Sequence, residues 1–468
     1  MTNAGVPLEP TGDELRRLLA AATDYVGGVL ARMPDTPASD LDGVADFLAD
    51  EALHRLPPAA GRPLDEVLKV VDRAATKGLN TASPGYFAFI PGSGIVTAAV
   101  ADLIADVLNR YTSFAFAAPG LVALETSVLR WMVDLFGLPA AAGGILTTGA
   151  SMAAFSAIVT ARAARLPADF LAGTMYVTGQ AHVSTAKAAM LAGFPASAVR
   201  VVPVDADLRM DVDALRAAIA ADRAAGLVPF CVVASAGTTN TGTIDPLPAI
   251  ADAAAEEQLW LHIDAAYGGF FQLTRRGAER LAGLDRADSL ELDAHKGLFL
   301  PFGTGALLVR DAALLRRAHA GPEADYLQDI GDRGLPDFAH DSPELTRDFR
   351  GLRMWLPLHL HGVDAFRAAL DDKLDLAEYA YEELRAVPGL VVEPAPELST
   401  VVFSCRGETH GAATAELLRR VNAEQRAFLS STRIGGRYVG RISVLNHRTD
   451  RARVTEVIDA VRRHASAS

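Results

Sequence analysis

Cysteine is almost missing from this chain. Cys231 and Cys405 are the only two among 468 residues and form no CxxC pattern, which argues against a disulfide framework or a thiolate zinc site and fits a reducing cytoplasm. A surplus of positive charge is missing too. The 44 lysines and arginines face 57 aspartates and glutamates, for a net charge of −13. That balance favours solubility and argues against nucleic acid or an anionic membrane as the main partner. Charge or proline interrupts every apolar stretch before membrane-spanning length. The opening MTNAGVPLEPTGDELRR has no basic segment followed by an apolar core, so no secretory signal is read there. Internal repeats and low-complexity linkers are also absent. What is present is a chain with 50% hydrophobic and 22% charged residues, able to bury a large core and long enough for roughly two to four domains.

Residues 1–92 read as a helical segment. Thr11 and Glu14 stand in capping-box spacing before a stripe of Leu15, Leu18, Leu19 and Ala22, and further amphipathic stretches follow over 41–53 and 64–75. So much apolar helix face predicts a partner subunit or the main domain beneath it. From 93 to 358 the texture changes to short β-rich runs alternating with alanine-rich helical ones: GGILTTG before SMAAFSAIVTARAA, TMYVTGQ before HVSTAKAAMLAG, then FCVVASAG and LWLHIDAAYGG. This predicts an α/β domain with a large, mainly parallel sheet and its ligand beyond the carboxyl ends of the strands. Residues 359–468 read as a smaller C-terminal α+β domain. A helix over 370–387 precedes strands near Leu390 and Val401, and a later strand pair is joined at Gly435-Gly436.

Within DAHKGLFLPFGTG, Lys296 follows His295 and leads into apolar sequence. A buried lysine is costly unless it is paired or neutral, and a Schiff base to a carbonyl cofactor would remove that cost. Three other features fall at strand ends. TTGAS places Ala150 and Ser151 where a strand becomes a helix, which alone reads as a small turn capping the helix and in company as a phosphate seat. AHVST offers His182, a histidine that alone reads as structural. HIDAAYGG ends an apolar run on Asp264, and a buried carboxylate needs a positive partner such as a pyridinium nitrogen. Together they supply a phosphate seat, a ring-stacking group, a carboxylate and a Schiff-base lysine, which is the pattern of a pyridoxal 5'-phosphate site.

Through SPGYFAFIPG, APGLVALETSVLRWM, TTGAS, QAHVS, GTTNTGTID, HIDAAYGG, DAHKG, FRGLRMW and NHRT the chain resembles the group II pyridoxal-phosphate-dependent amino acid decarboxylases, from about residue 80 onward. The resemblance implies the aminotransferase-like type I fold, a small-molecule amino acid substrate, and a homodimer with sites at the subunit interface. It implies that Lys296 is the Schiff-base lysine, reacting through an internal aldimine, and that Asp264 partners the pyridine nitrogen. His182 would stack on the ring, Ala150 and Ser151 would hold phosphate, and Thr239 and His295 would lie by the cofactor. Phe89, Ile90 and Pro91 match the segment that borders the substrate pocket across the dimer.

The chain departs from its relatives at Gly297, where many carry tryptophan, and at Phe338. Counted back without a gap from Phe349, Phe338 takes the place of a loop tyrosine that protonates the carbanion after CO₂ loss. Its replacement by phenylalanine is associated in the family with aldehyde synthases, which consume O₂ and give an aldehyde, ammonia and peroxide. The alternatives are a different loop alignment and another proton donor, such as Tyr326, His340 or His182. A catalytically silent regulatory homologue is a further alternative, opposed by the complete set of site residues. His359 and His361 diverge on a helix and read as its surface rather than a metal pair. Arg441 and Arg448 read as structural salt bridges, and Gly303 and Gly305 as a turn. Phe87, Phe89 and Ile90 fit either an apolar substrate side chain or interface packing.

Overall fold

The computed structural model of the chain describes residues 8–321, 334–408 and 410–465. Near the N-terminus, α1 (Gly12–Arg32) buries none of its residues within the chain, and Leu15, Leu18 and Leu19 remain 40–48% exposed. The expected capping box is not made. The Thr11 side chain makes no capping bond, and the Glu14 N–H instead donates to the Thr11 carbonyl. The stretch read as one helix over 41–53 divides into Val44–Leu48 and Glu51–His54, because the Asp50 carboxylate accepts the Ala52 N–H and caps a second start. The third helix, α2 (Leu64–Ala74), lies where its periodicity predicts.

The large domain is built on a seven-stranded sheet. Its strands are β1 (Gly143–Thr147), β2 (Gly173–Thr178), β3 (Val199–Val202), β4 (Val228–Ser235), β5 (Trp260–Asp264), β6 (Ser289–Asp293) and β7 (Gly305–Val309). They lie in the order β1-β7-β6-β5-β4-β2-β3. Pairings from β3 across to β6 are parallel, whereas β7 runs antiparallel to both β6 and β1. The interior strands β5, β6 and β7 are buried at every position; β7 is accordingly a continuous apolar run, whereas β5 and β6 carry buried polar residues. Helices α3 (Ala150–Arg165) and α4 (Val183–Leu191) follow β1 and β2.

The direction of β7 matters for the site. Asp293 ends β6 opposite Gly305 at the start of β7, so the chain turns back at the carboxyl edge and leaves residues 294–304 there. Lys296 lies in that connection.

Helices α5 (Gly351–His361) and α6 (Val363–Arg385) lead to the small domain, with Gly362 at φ +77° separating them. Here α6 starts seven residues earlier than its sequence pattern indicates, immediately after that glycine. The four-stranded antiparallel sheet has the order β8-β9-β11-β10, comprising β8 (Leu390–Val392), β9 (Thr400–Cys405), β10 (Ser430–Ile434) and β11 (Arg437–Ser443). The last two are joined at Gly435-Gly436, both at positive φ. Phe87 is buried in this domain's core beside Leu376, Val401 and Ile442, and Asn446 donates to the Ser83 carbonyl. The composition change near residue 92 therefore falls just past a segment that packs with the small sheet.

Candidate active site

Each parallel strand near the middle of the sheet delivers a polar residue to one edge. After β1, Gly149 takes φ +152° and α3 opens at Ala150. A Cβ on Gly305 would stand 2.6 Å from the Gly149 backbone, so only glycine at the start of β7 lets this turn settle against the sheet. Gly303 is a turn residue at φ +89°, but Gly305 is the first residue of a strand, and its role is this close approach. Ser151 is exposed in the first turn of α3. The Ala150 N–H donates to Asp293 Oδ1 at 2.7 Å.

His182 caps α4. Its Nδ1 accepts the Ser184 N–H and lies 2.7 Å from Ser184 Oγ, which leaves Nε2 for other contacts. Asp264 ends β5, one oxygen accepting the Ala266 N–H at 3.1 Å. Lys296 places Nζ 2.9 Å from Asp293 Oδ2. His295 Nδ1 lies 3.1 Å from the Thr304 carbonyl and 3.5 Å from Asp293. Ala150, Ser151, His182, Thr239, Asp264, His295 and Lys296 all line one cavity of about 310 Å³, together with Tyr267, Glu291 and Asp293.

The electrostatics of this cavity are set by burial and by crowded carboxylates. Burial works against the Lys296 ammonium, but Asp293 and then Asp264 outweigh it and hold its pKa above that of ordinary lysine. Burial, reinforced by Asp264 and Asp293, pushes Glu291 well above the carboxylate range. Burial lowers His295, against the opposing pull of Asp293.

Pyridoxal 5'-phosphate needs an amine for its aldehyde, an anion for its ring nitrogen, a flat wall and a seat for phosphate. Lys296, Asp264, His182 and the N-terminus of α3 meet those needs in one cavity, whose volume lies at the lower end of the usual range for ligand pockets, about 300–1,000 Å³. The residues fit the group.

Other sequence-derived candidates lie elsewhere. Phe89 is 55% exposed at φ +53°, and neither it nor Ile90 nor Pro91 borders the cavity within this chain. Phe338 is fully buried in the core, its ring 4.7 Å beneath the Arg347 guanidinium, and does not line the cavity. His340 packs edge-on against Phe114, and Tyr326 lies outside the described residues. Among the described residues, neither Arg441 nor Arg448 meets a carboxylate. Arg441 donates to the carbonyls of Phe89, Thr239 and Asn240, and Arg448 to those of Ser93 and Gly94. His359 and His361 are exposed on α5. Gly297 packs where a Cβ would meet Phe270 at 2.7 Å, so a larger side chain has no room there.

Sequence reasoning passed over Asp293, Glu291, His262 and Tyr267. Asp293 was within reach, standing three residues before Lys296. Tyr267, whose hydroxyl bonds Ser399 and Thr400, depends on contacts with a distant segment that no local pattern shows.

A family model described as the pyridoxal-dependent decarboxylase conserved domain matches residues 51–406. An aromatic-L-amino-acid decarboxylase of Bacillus atrophaeus is 31% identical over 460 residues, covering 96% of this chain and 95% of the relative. An L-2,4-diaminobutyrate decarboxylase of Rhizobium meliloti is 32% identical over 411 residues, covering 86% and 82%. The crystal structure of Oryza sativa TDC with PLP and tryptamine superposes with a TM-score of 0.92 at 26% identity, over 99% of both chains. With the cavity and its residues in place, the chain belongs to the pyridoxal-dependent decarboxylases, as a carboxy-lyase that uses pyridoxal 5'-phosphate.

Proposed function

We propose that this chain removes CO₂ from an L-amino acid with an aromatic or other apolar side chain, releasing the amine, as a cytoplasmic homodimer. The observation that carries the reading is the convergence of Lys296, Asp264, His182 and the α3 N-terminus on one cavity. Lys296 would hold the cofactor's aldehyde carbon and exchange it for the substrate amine. It must first lose the proton that its carboxylate neighbours favour, and Asp293, 2.9 Å away, is placed to take part in that transfer. Asp264 would keep the ring nitrogen protonated, and His182 would lie against the ring face. Ser151 and the first amides of α3 would hold the phosphate. When bound, pyridoxal phosphate supplies the electron sink for the pair left by departing CO₂.

The aromatic preference is supported by the similarity to the aromatic-L-amino-acid decarboxylase of Bacillus atrophaeus and to a tryptophan decarboxylase of Oryza sativa. The homodimer is supported by apolar surface that the single chain leaves open: Leu15, Leu18 and Leu19 on α1, and Val100, Leu103 and Val107 on the helix Val96–Leu108. Phe89 and Phe302 are also more than half exposed. An active monomer in sedimentation would overturn this part.

The test is an amino acid panel that includes tryptophan, tyrosine, phenylalanine and 2,4-diaminobutyrate. CO₂, amine, aldehyde and peroxide are followed together. Amine formed in step with CO₂ from an aromatic substrate supports the reading. Aldehyde and peroxide with O₂ uptake would establish the oxidative alternative at the same site. Release of neither CO₂ nor aldehyde from any member would favour the silent homologue.

A further inference from the structure

Glu291 is the least expected residue of the cavity. It lies on the interior strand β6, is wholly buried, and neither carboxyl oxygen receives a hydrogen bond from any described donor. Its direct neighbour across the parallel β5–β6 ladder is Asp264, and both side chains line the same cavity. A carboxylate that accepts nothing has lost its hydration without replacement, and two adjacent buried carboxylates cannot both be ionised cheaply. A proton on Glu291 resolves both problems: the neutral acid becomes a donor, and Asp264 is the acceptor beside it.

The surroundings agree. His262, also on β5, places Nε2 3.5 Å from Glu291 Oε2. Its Nδ1 lies 2.8 Å from the Ser289 hydroxyl, which can serve either ring tautomer and which itself accepts the Trp260 indole N–H. Burial pushes His262 down to about 4, so it adds no positive charge to stabilise an ionised Glu291. Asp293 on β6 adds negative charge, while Lys296 beyond it already pairs with Asp293. The facing strand β7 carries no titratable side chain, and those of α3, Arg162 and Arg165, lie in its last turn.

We propose that Glu291 is a positioning residue, held protonated, whose hydrogen goes to Asp264 and fixes that carboxylate for its work on the cofactor's ring nitrogen. The functional half rests on Asp264 as the ring-nitrogen partner, and the protonation of Glu291 does not. A carboxyl donor lowers the basicity of Asp264, so Glu291 sets how firmly the ring proton is held as well as where its partner points.

The test compares holoenzyme with Glu291→Gln, Glu291→Leu and Asp264→Asn. In infrared difference spectra at pH 7, wild type should show a protonated-carboxyl C=O band that Glu291→Gln lacks. Glu291 binds a proton when folded and none when unfolded at that pH, so denaturing wild type should release about one proton more than denaturing Glu291→Gln. Glu291→Gln keeps a donor and should retain kcat within about threefold. Glu291→Leu has none and should lose tenfold or more with cofactor still bound, while the pH dependence of its visible spectrum shifts.

Loss of no carboxyl band in Glu291→Gln, or equal proton release, overturns the proposal even if the leucine variant fails to fold. Full kcat in a folded Glu291→Leu overturns the positioning role. Full turnover by Asp264→Asn overturns Asp264 as the partner of the ring nitrogen, which the infrared result does not touch.

Discussion

Two clusters of buried charge stand on this chain, and they are assembled by opposite rules. Beside the helix Pro119–Leu135, Glu125 is completely buried, yet its oxygens accept from Arg347 and from the Gly351 N–H. Next to it Arg350 grips both oxygens of Glu344 at 2.6 and 2.9 Å. The Phe338 ring covers the Arg347 guanidinium. Charge is matched by charge, and the cluster does not line the cavity. At the carboxyl edge of the sheet, Asp264, Glu291 and Asp293 crowd around Lys296, and Glu291 has no donor of its own. The first cluster holds α5 to the core. The second keeps groups under-satisfied at the place where a ligand would complete them, as expected of sites that trade stability for chemistry.

The sharpest way to break this contrast is at the lysine. Lys296→Ala should abolish turnover and the borohydride-trapped cofactor adduct, measured by mass and absorbance. Covalent cofactor persisting in that variant would end the assignment. Next comes Asp264→Asn, which should leave cofactor bound and reduce turnover on the order of 10²–10⁴-fold, the scale of a lost proton-holding group. On the other side, Glu125→Gln strands a buried guanidinium and should cost about 3–5 kcal/mol of stability in denaturant titration. Its activity per folded molecule should match wild type. A fall in activity without a fall in stability would erase the distinction between the clusters.

The smallest effect is expected of Phe338→Tyr. It adds a hydroxyl in a fully buried position and should cost about 1–3 kcal/mol, leaving the ratio of amine to aldehyde unchanged. A shift toward amine with reduced O₂ uptake would return this position to the reaction.

The cavity was legible in sequence because its principal residues stand at or just beyond strand ends. Asp264 closes an apolar run and Lys296 leads into one, so a charge there demanded a reason. Glu291 escaped notice because a single glutamate in SLELD looks like the polar face of a strand. Only the sheet order shows that β6 is covered on both sides and that Asp264 lies next in register. Phe338 shows the limit of counting, which fixes a position along the chain and not the way its ring faces. The antiparallel direction of β7 was hidden for a similar reason: GALLV is equally apolar whichever way it runs. The Arg441 and Arg448 guanidiniums were expected to meet carboxylates. Backbone carbonyls from distant loops took that place, and nothing in the side-chain sequence announces them.

Arg441 has a mechanical consequence. From strand β11 its guanidinium reaches the carbonyls of Thr239, which lines the cavity, of its neighbour Asn240, and of Phe89. Burial lowers its pKa to about 10. Swinging the small domain away would part the guanidinium from the Thr239 and Asn240 carbonyls together, while Phe89, whose N–H is held by Ser430 of the small sheet, would travel with it. One side chain thus ties the position of the small sheet to the cavity wall at Thr239.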